Sequence, residues 1–351
     1  MKDIATLALQ HDMEIAQDVT NASGEVIVKA GTKVTDYTIQ KLNRHKIMAV
    51  TIMEDIDYAV TYFEKIRLSE GFKKFEQDYR KYLDEYKSII NDFMESKSEI
   101  PMDELMRIYN ELTSPVREPA KILDYLYNML PTEDNMTYAH CFNSALIAGV
   151  FGQWLCLKPD ELTILIQCGL LYDIGKLKLP YELIWKPDKL TPVEFAQIKT
   201  HTLLGFQMLK DQPIDENILK TTLSHHEKFD GTGYPSRLHD EQINNYARMI
   251  SIIDSYEAMT SPRSYRQSKH PFQIIEIFEN DSFKYDMNIL RPILYRLGNH
   301  LIGLQVLLSN DVKAEVVLIN QARMCRPLLK DDNDTFIDLI SRRDLQILAI
   351  Y

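Results

Sequence analysis

The sequence is poor in cysteine, and it contains no apolar run long enough to cross a membrane. Its four cysteines form no CxxC pair, which excludes a zinc ribbon and a disulfide framework and fits a reducing cytoplasm. The longest apolar run covers residues 145–157, contains Gln153, and is shorter than the roughly 20 residues that a spanning helix needs. The N-terminus carries acidic residues and lacks the core of a signal peptide. We therefore expect a cytoplasmic protein without a membrane anchor.

Positive charge is also scarce in this chain. The net charge is −11, from 40 basic and 51 acidic residues, which disfavours a nucleic-acid polymer as a partner of the whole surface. Any phosphate group must therefore be bound by a local basic site. Apolar residues make up 45% of the sequence, as is typical of a globular protein.

Changes in composition divide the 351 residues into four segments. We predict a small α+β module at 1–55, a helical connector at 56–112, a helical region at 113–300 and a β-rich segment at 301–351. In the last segment, "LQVLLSNDVKAEVVLINQ" predicts two strands and "FIDLISRRDLQILAIY" predicts a closing strand pair. The charged outer face of the connector is typical of a solvated helix, and a dimerising helical pair is the alternative.

One helix start in the third segment is marked clearly by local signals. Thr191 is the predicted N-cap, Pro192 occupies the first helical position, and Glu194 completes a capping box.

Several histidines and aspartates of the helical region lie within apolar stretches. A single histidine on an apolar face is more often a core residue than a ligand. Buried carboxylates such as Asp173 and Asp254, however, cost several kcal/mol unless they find partners. Metal ions would satisfy these carboxylates and the neighbouring imidazoles together, and ligands without thiolates suit Fe, Mn or Zn. The pattern predicts a helical domain with a His/Asp dimetal site suited to phosphate-ester hydrolysis.

The block "HHEKFDGTGYP" at 225–235 resembles the HD-GYP family of bacterial phosphodiesterases, which act on cyclic di-GMP. Three further blocks follow the family's order and spacing: "YDIGK" at 172–176, "IWKPDKLTPVEFAQIKTHTLLGFQML" at 184–209 and "ARMISIIDSYEAMTSPRSYR" at 247–266. The resemblance covers roughly residues 113–290. It implies a mainly α fold, built on the helical bundle of the HD superfamily.

The resemblance also implies the functional residues, position by position. The implied metal ligands are His140, Asp173, His201, His225, His226 and Asp254, of which Asp173 bridges two ions. The implied contacts to the substrate are Lys176, Tyr234, Arg263 and Arg266. Lys176 would contact the scissile phosphate, and the two arginines would present parallel donors to phosphate oxygens.

Two positions depart from the family pattern. Met136 stands where some members have a glutamate for a third metal, so we expect at most two divalent ions, Fe or Mn. Tyr172 stands where the family has a histidine ligand, which leaves the ion at His140 and Asp254 in a weaker site. Three interpretations of Tyr172 stay open. It ligates as a phenolate, it turns away and leaves a water-filled site, or it donates a hydrogen bond to a phosphate or to Asp173.

Three functions follow from this resemblance. The first is a phosphodiesterase that hydrolyses cyclic di-GMP to pGpG or GMP, with Tyr172 as the residue that would impair it. The second is an inactive HD-GYP protein that binds cyclic di-GMP or a signalling protein. The third is a phosphohydrolase for a related nucleotide, such as a mixed cyclic dinucleotide. The expected partners are a cyclic dinucleotide and a second copy of the chain or a signalling protein, without a membrane.

Overall fold

Helices dominate the architecture and small sheets lie near both ends, which confirms the predicted mainly α fold. The computed structural model describes residues 2–9, 13–21, 24–53, 61–96, 98–129, 136–184, 186, 189–261 and 269–351. Within these ranges, every helix is too short or too polar to cross a lipid bilayer.

The N-terminal part is a small α+β unit with its own apolar core. Its elements are β1 (Lys2–Ala5), β2 (Val19–Thr20), β3 (Val26–Val28), α1 (Asp36–Arg44) and β4 (Ala49–Ile52). β1 pairs antiparallel with β4, and β2 pairs antiparallel with β3. The side chains of Ile15, Val34 and Leu42 are fully buried at the centre of this core. Burial of this apolar surface therefore stabilises the unit separately from the main core.

The connector consists of three helices, α2 (Tyr62–Leu68), α3 (Glu70–Ser96) and α4 (Met102–Thr113). Thr61 and Glu64 form a capping box that starts α2. The 27-residue α3 buries an apolar stripe that includes Phe72, Phe75 and Tyr79, at the three-to-four-residue spacing of one helix face. This stripe packs into the same core as the helical region that follows.

The helical region surrounds α6, which is buried on nearly all sides because its sequence is apolar throughout. Its helices are α5 (Ala120–Asn128), α6 (Met136–Trp154), α7 (Pro159–Leu171), α8 (Tyr181–Ile184), α9 (Pro192–Lys199), α10 (His201–Leu209), α11 (Glu216–Ser224), α12 (Asn245–Thr260), α13 (Pro271–Asn280) and α14 (Met287–Asn299). α9 begins at the predicted capping box, where Thr191 Oγ1 accepts a hydrogen bond from the Glu194 amide.

The C-terminal segment forms one antiparallel sheet, whose strands are β5 (Gln305–Leu308), β6 (Lys313–Leu318), β7 (Leu328–Asp331), β8 (Phe336–Asp338) and β9 (Ile347–Ile350). Their order across the sheet is β8-β7-β6-β5-β9. The predicted hairpin of β5 and β6 is confirmed. The predicted closing pair is wrong, because β8 pairs with β7 and β9 returns to β5 at the other edge. An alternating apolar pattern indicates that a strand forms but does not select its partner.

The apolar core is continuous from the connector through the helical region to the C-terminal sheet, as shown by the shared burial of Phe72, Leu146 and Val306. The segment boundaries at 55, 112 and 300 stay predictions.

Candidate metal centre

Five segments of the helical region bring the predicted ligands to one place. The positions are His140 on α6, Asp173 just after α7, His201 at the start of α10, His225 and His226 just after α11, and Asp254 on α12. These residues fall into two groups of three, His201, His225 and His226 on one side and His140, Asp173 and Asp254 on the other. Within each group the potential ligand atoms lie within 4.8 Å of one another.

Asp173 stands between the two groups. Its Oδ1 lies 3.2 Å from Nε2 of His201 and 3.9 Å from Nε2 of His225. Its Oδ2 lies 3.3 Å from Nε2 of His140. Each carboxylate oxygen therefore faces a different group, which is the arrangement that a bridging ligand needs.

The buried carboxylate of Asp173 is the strongest sign that cations belong here. Its side chain is fully buried among the imidazoles of the centre. Lys176 forms an ion pair with Oδ2. Moving a carboxylate from water into such a buried position nevertheless costs several kcal/mol. Histidine and carboxylate ligands without thiolates fit a divalent transition metal.

The histidines of the first group are held with one ring nitrogen toward the centre. Nδ1 of His201 lies 2.6 Å from the carbonyl oxygen of Ile198, and Nδ1 of His225 lies 3.0 Å from that of Thr222. Each Nδ1 donates its proton to a backbone carbonyl, so each Nε2 is left as the ligand atom.

The electrostatic environment favours the ligating protonation states of this group. Burial, together with the neighbouring His201, lowers the pKa of the His225 imidazole to about 4. Burial also lowers the pKa of His226 and of His201. For Asp173, burial acts to raise the pKa, but Lys176 and the surrounding histidines outweigh it and hold the pKa well below its usual range. Near neutral pH the three histidines of the first group are therefore neutral, and the carboxylate of Asp173 beside them is ionised.

His140 differs from the other histidines. Burial acts to lower its pKa, but Glu257, Asp173 and Asp254 together raise the pKa well above its ordinary value. A metal at this group must therefore displace a proton from His140.

Tyr172 points into the second group rather than away from it. Its side chain is fully buried, and its hydroxyl oxygen lies 2.7 Å from Nε2 of His140, 3.2 Å from Oδ1 of Asp254 and 3.0 Å from Oγ of Ser144. Burial raises the pKa of the phenol well above its ordinary value, and Asp254 and Asp173 raise it further. The hydroxyl is therefore neutral and occupies a position among the ligands of this group.

Two glycines permit the close backbone contacts that assemble the centre. A Cβ on Gly175 would lie 2.0 Å from the carbonyl oxygen of His201, so only glycine lets the 3-10 turn after Asp173 pack against α10. A Cβ on Gly233 would lie 2.4 Å from Cα of Glu227, and this contact holds the GYP loop against the segment with the paired histidines. The loop places the ring of Tyr234 4.7 Å from the ring of His226.

Two buried glutamates support the site, and neither was among the predicted functional residues. Oε1 of Glu227 accepts a hydrogen bond from the amide of Ser236 at 2.6 Å, and Oε2 accepts one from Leu238 at 3.1 Å, which secures the GYP loop. Oε2 of Glu257 lies 2.5 Å from Nδ1 of His140. The signal in the sequence is spacing, because Glu257 lies one helical turn after Asp254.

A cavity of about 520 Å³ opens beside the GYP loop. Its lining residues are Lys199, Gly231, Thr232, Gly233, Tyr234, Pro235 and Arg237. Nζ of Lys199 lies 4.6 Å from the ring centre of Phe195 and 4.8 Å from that of Tyr234. Among the described residues, no carboxylate pairs with Lys199 or Arg237. The cavity thus combines two cations with an aromatic wall, which suits an anionic ligand that carries a ring system.

The predicted phosphate contacts Arg263 and Arg266 lie outside the described residues. Their role stays a prediction.

Comparison with known proteins finds similarity in the same region. Residues 124–289 match the family profile described as HD domain. A cyclic di-GMP phosphodiesterase of Pseudomonas aeruginosa is 32% identical over 211 residues, which are 60% of this chain and 50% of that protein. A cyclic di-GMP phosphodiesterase of Thermotoga maritima is 31% identical over 151 residues, 42% of this chain and 41% of that protein.

A relative with a different substrate in its name is also similar. A 3′3′-cGAMP-specific phosphodiesterase of Vibrio cholerae is 30% identical over 169 residues, 47% of this chain and 38% of that protein. The chain spans half or less of the length of these three relatives.

Proposed function

We propose that residues 124–289, which match the HD domain profile, form an HD domain of the HD-GYP type, and that this chain is a metal-dependent phosphodiesterase of cyclic dinucleotides. The observation that carries the proposal is the pair of ligand groups joined by the buried Asp173. Cyclic di-GMP is the first candidate substrate, with pGpG and then GMP as products. Mixed cyclic dinucleotides are the second candidate, since relatives named for either substrate are about equally similar.

We propose at most two divalent ions, Fe or Mn. His201, His225, His226 and Asp173 would hold the first, and His140, Asp254 and Asp173 would hold the second more weakly. Bound ions would supply an activated water and neutralise charge on the reacting phosphate.

The remaining residues bind and orient the substrate in this proposal. Lys176, paired with Asp173 at the edge of the centre, would stabilise the negative charge that develops on the scissile phosphate. Tyr234 and Lys199 would bind the part of the nucleotide that occupies the cavity. Arg263 and Arg266 would hold phosphate oxygens through charge-assisted hydrogen bonds.

A direct test combines metal counting with turnover. The purified chain is loaded with Fe(II) or Mn(II), bound metal is counted, and hydrolysis of cyclic di-GMP and of 3′3′-cGAMP is followed. We expect metal-dependent turnover that is lost in His225→Ala and kept in His45→Ala, an exposed histidine at the end of α1 in the N-terminal unit. A metal-loaded chain that hydrolyses neither dinucleotide contradicts the enzymatic proposal.

The position of Tyr172 favours a second candidate function, a catalytically inactive protein that binds the same ligand. Its hydroxyl lies 2.7 Å from His140, within the group that would hold the weaker ion. Binding needs the cavity and its cations, whereas hydrolysis needs the complete centre. Tight binding of cyclic di-GMP without turnover at saturating Mn(II) would support this candidate. A second copy of the chain or a signalling protein would then be the partner of the ligand-bound chain.

A further inference from the structure

We propose that Tyr79 of the connector helix α3 is a positioning residue for His140, acting through Asn143 and Glu257. The inference rests on the metal centre of the proposed function. Tyr79 lies in residues 70–96, well before the matched HD region begins at residue 124. The support of one metal ligand thus extends into a segment outside the family match.

Three hydrogen bonds connect these side chains in series. The hydroxyl of Tyr79 donates to Oδ1 of Asn143 at 2.7 Å. Nδ2 of Asn143 donates to Oε1 of Glu257 at 3.1 Å. Oε2 of Glu257 lies 2.5 Å from Nδ1 of His140, on the side of the ring that faces away from Asp173 and Asp254.

The chemistry of each group sets the direction of the series. The amide oxygen of Asn143 can only accept, so the hydroxyl of Tyr79 donates to it, and Nδ2 is then directed at Glu257. The carboxylate of Glu257 accepts the Nδ1 proton of His140, which leaves Nε2 as the atom that faces the other ligands. In metal sites, such a carboxylate fixes the orientation and tautomer of the histidine, and its loss costs about 10–100-fold in metal affinity.

Burial makes the series rigid. His140, Asn143, Glu257 and Tyr79 are each less than 9% exposed, so water does not replace a lost partner easily. Oε1 of Glu257 also accepts a hydrogen bond from Oγ of Ser261 at 2.6 Å, which holds the carboxylate at the end of α12. When Asn143 loses Tyr79, its amide is free to rotate, and Glu257 loses a fixed donor.

The chain contains a matched control for this contact. The hydroxyl of Tyr138 on α6 donates to Oδ1 of Asn91 on α3 at 2.6 Å. This is the same pair of groups between the same two helices, but in the described part of the chain Asn91 makes no further side-chain hydrogen bond. Tyr138→Phe therefore removes a hydroxyl that makes the same type of hydrogen bond, at a less buried position, without reaching His140.

The experiment measures Mn(II) affinity by calorimetry for the wild-type chain, Tyr79→Phe, Tyr138→Phe, Glu257→Gln and the double variant of Tyr79 and Glu257. We expect the affinity of the weaker ion to fall about 10–100-fold in Glu257→Gln and several-fold in Tyr79→Phe. Tyr138→Phe should leave this affinity unchanged. In the double variant the two losses should not add, because both act on the same ligand.

Each outcome bears on one of the two proposals. The inference is overturned if the wild-type chain binds Mn(II) and Tyr79→Phe leaves the affinity unaltered, or if Tyr138→Phe alters the affinity equally. The proposed function still stands in either case. Absence of any Mn(II) binding overturns the metal-dependent function itself. If Glu257→Gln does not fold, the comparison of Tyr79→Phe with Tyr138→Phe still decides, since each change removes one oxygen atom and its hydrogen.

Discussion

The hydroxyl of Tyr172 lies 2.7 Å from Nε2 of His140, the atom that a metal in the second group would require. Asp254 is also within hydrogen-bonding distance of this hydroxyl, at 3.2 Å. The tyrosine therefore takes part in the ligand cluster as a neutral partner of two ligands. On the proposed function, its effect on a second ion would decide between an enzyme and a binding protein.

Restoring a histidine at position 172 should complete the second group. Imidazole is a stronger ligand than a neutral phenol, so we expect Tyr172→His to increase bound Mn(II) per chain and to raise turnover by about tenfold or more. Metal counting and initial rates with cyclic di-GMP measure both effects. Tyr172→Phe, which removes the hydroxyl without adding a ligand, is the control and should show no increase. Equal metal content in wild type and Tyr172→His would show that the phenol does not limit the second ion.

Substituting Gly175 should damage the site through the backbone. The added Cβ would lie 2.0 Å from the carbonyl oxygen of His201, and backbone atoms cannot rotate aside. We expect Gly175→Ala to lower the free energy of unfolding by about 3 kcal/mol and to reduce metal content. Gly71→Ala is the control, because there the nearest atom, at 2.8 Å, is the hydroxyl oxygen of the movable Tyr125 side chain. Urea unfolding of both variants checks the difference, and equal losses would refute the steric explanation.

Removing one of the two cavity cations, Lys199, should weaken ligand binding more than it affects stability. Lys199 lines the cavity and lies over two aromatic rings. A hydrogen bond to a charged group contributes about 1.5–3 kcal/mol, so Lys199→Ala should weaken cyclic di-GMP binding by about tenfold or more. Lys210→Ala changes an exposed lysine after α10 and should leave the dissociation constant unaltered. Calorimetric titration of both variants with cyclic di-GMP measures their affinities. Equal affinities would contradict the role of Lys199 in ligand binding.

A partly buried ion pair between His300 and Asp124 should make stability depend on pH. Nε2 of His300 lies 2.9 Å from Oδ2 of Asp124, and the hydroxyl of Tyr62 donates to the same oxygen at 2.8 Å. Burial acts to lower the pKa of His300, but the hydrogen bond and charge of Asp124 outweigh it and raise the pKa. The stabilisation by protonated His300 is therefore complete below about pH 6.5, its ordinary unfolded value, and is lost as the pH rises through the folded pKa.

The variant His300→Gln should accordingly lose about 1 kcal/mol more stability at about pH 5.5 than at about pH 8.5. Urea unfolding at both pH values measures the two differences from wild type. His45→Gln, at an exposed position, is the control for a histidine-to-glutamine change outside this contact. An equal loss at both pH values for His300→Gln would show that the contact is uncharged.

Much of the site was predictable because short motifs carry local chemistry. The paired histidines 225–226, the glycines of the GYP loop and the capping box at Thr191 all depend on neighbours within a few residues. The helical period likewise predicts which faces are buried, since side chains three and four residues apart share a face. The fold class and the two groups of potential ligands follow from these patterns together with the family resemblance.

Other features depend on residues that are far apart in the chain. Tyr79 and Asn143 are separated by 64 positions and His140 and Glu257 by 117, so no local pattern indicates that they are partners. The same holds for β8 and β9, whose alternation predicts strands while packing of the whole sheet selects their neighbours.

The sequence alone determined which residue types are available at position 172 and at the other predicted ligand positions. The chemistry of a side chain follows from the residue type and does not depend on knowledge of the fold. Only the tertiary structure decided that Tyr172 points at His140 and Asp254, and that α3 reaches His140 through two buried side chains. The physical reason is that orientation inside a close-packed core is set by the simultaneous contacts of several helices, and these contacts join distant parts of the chain.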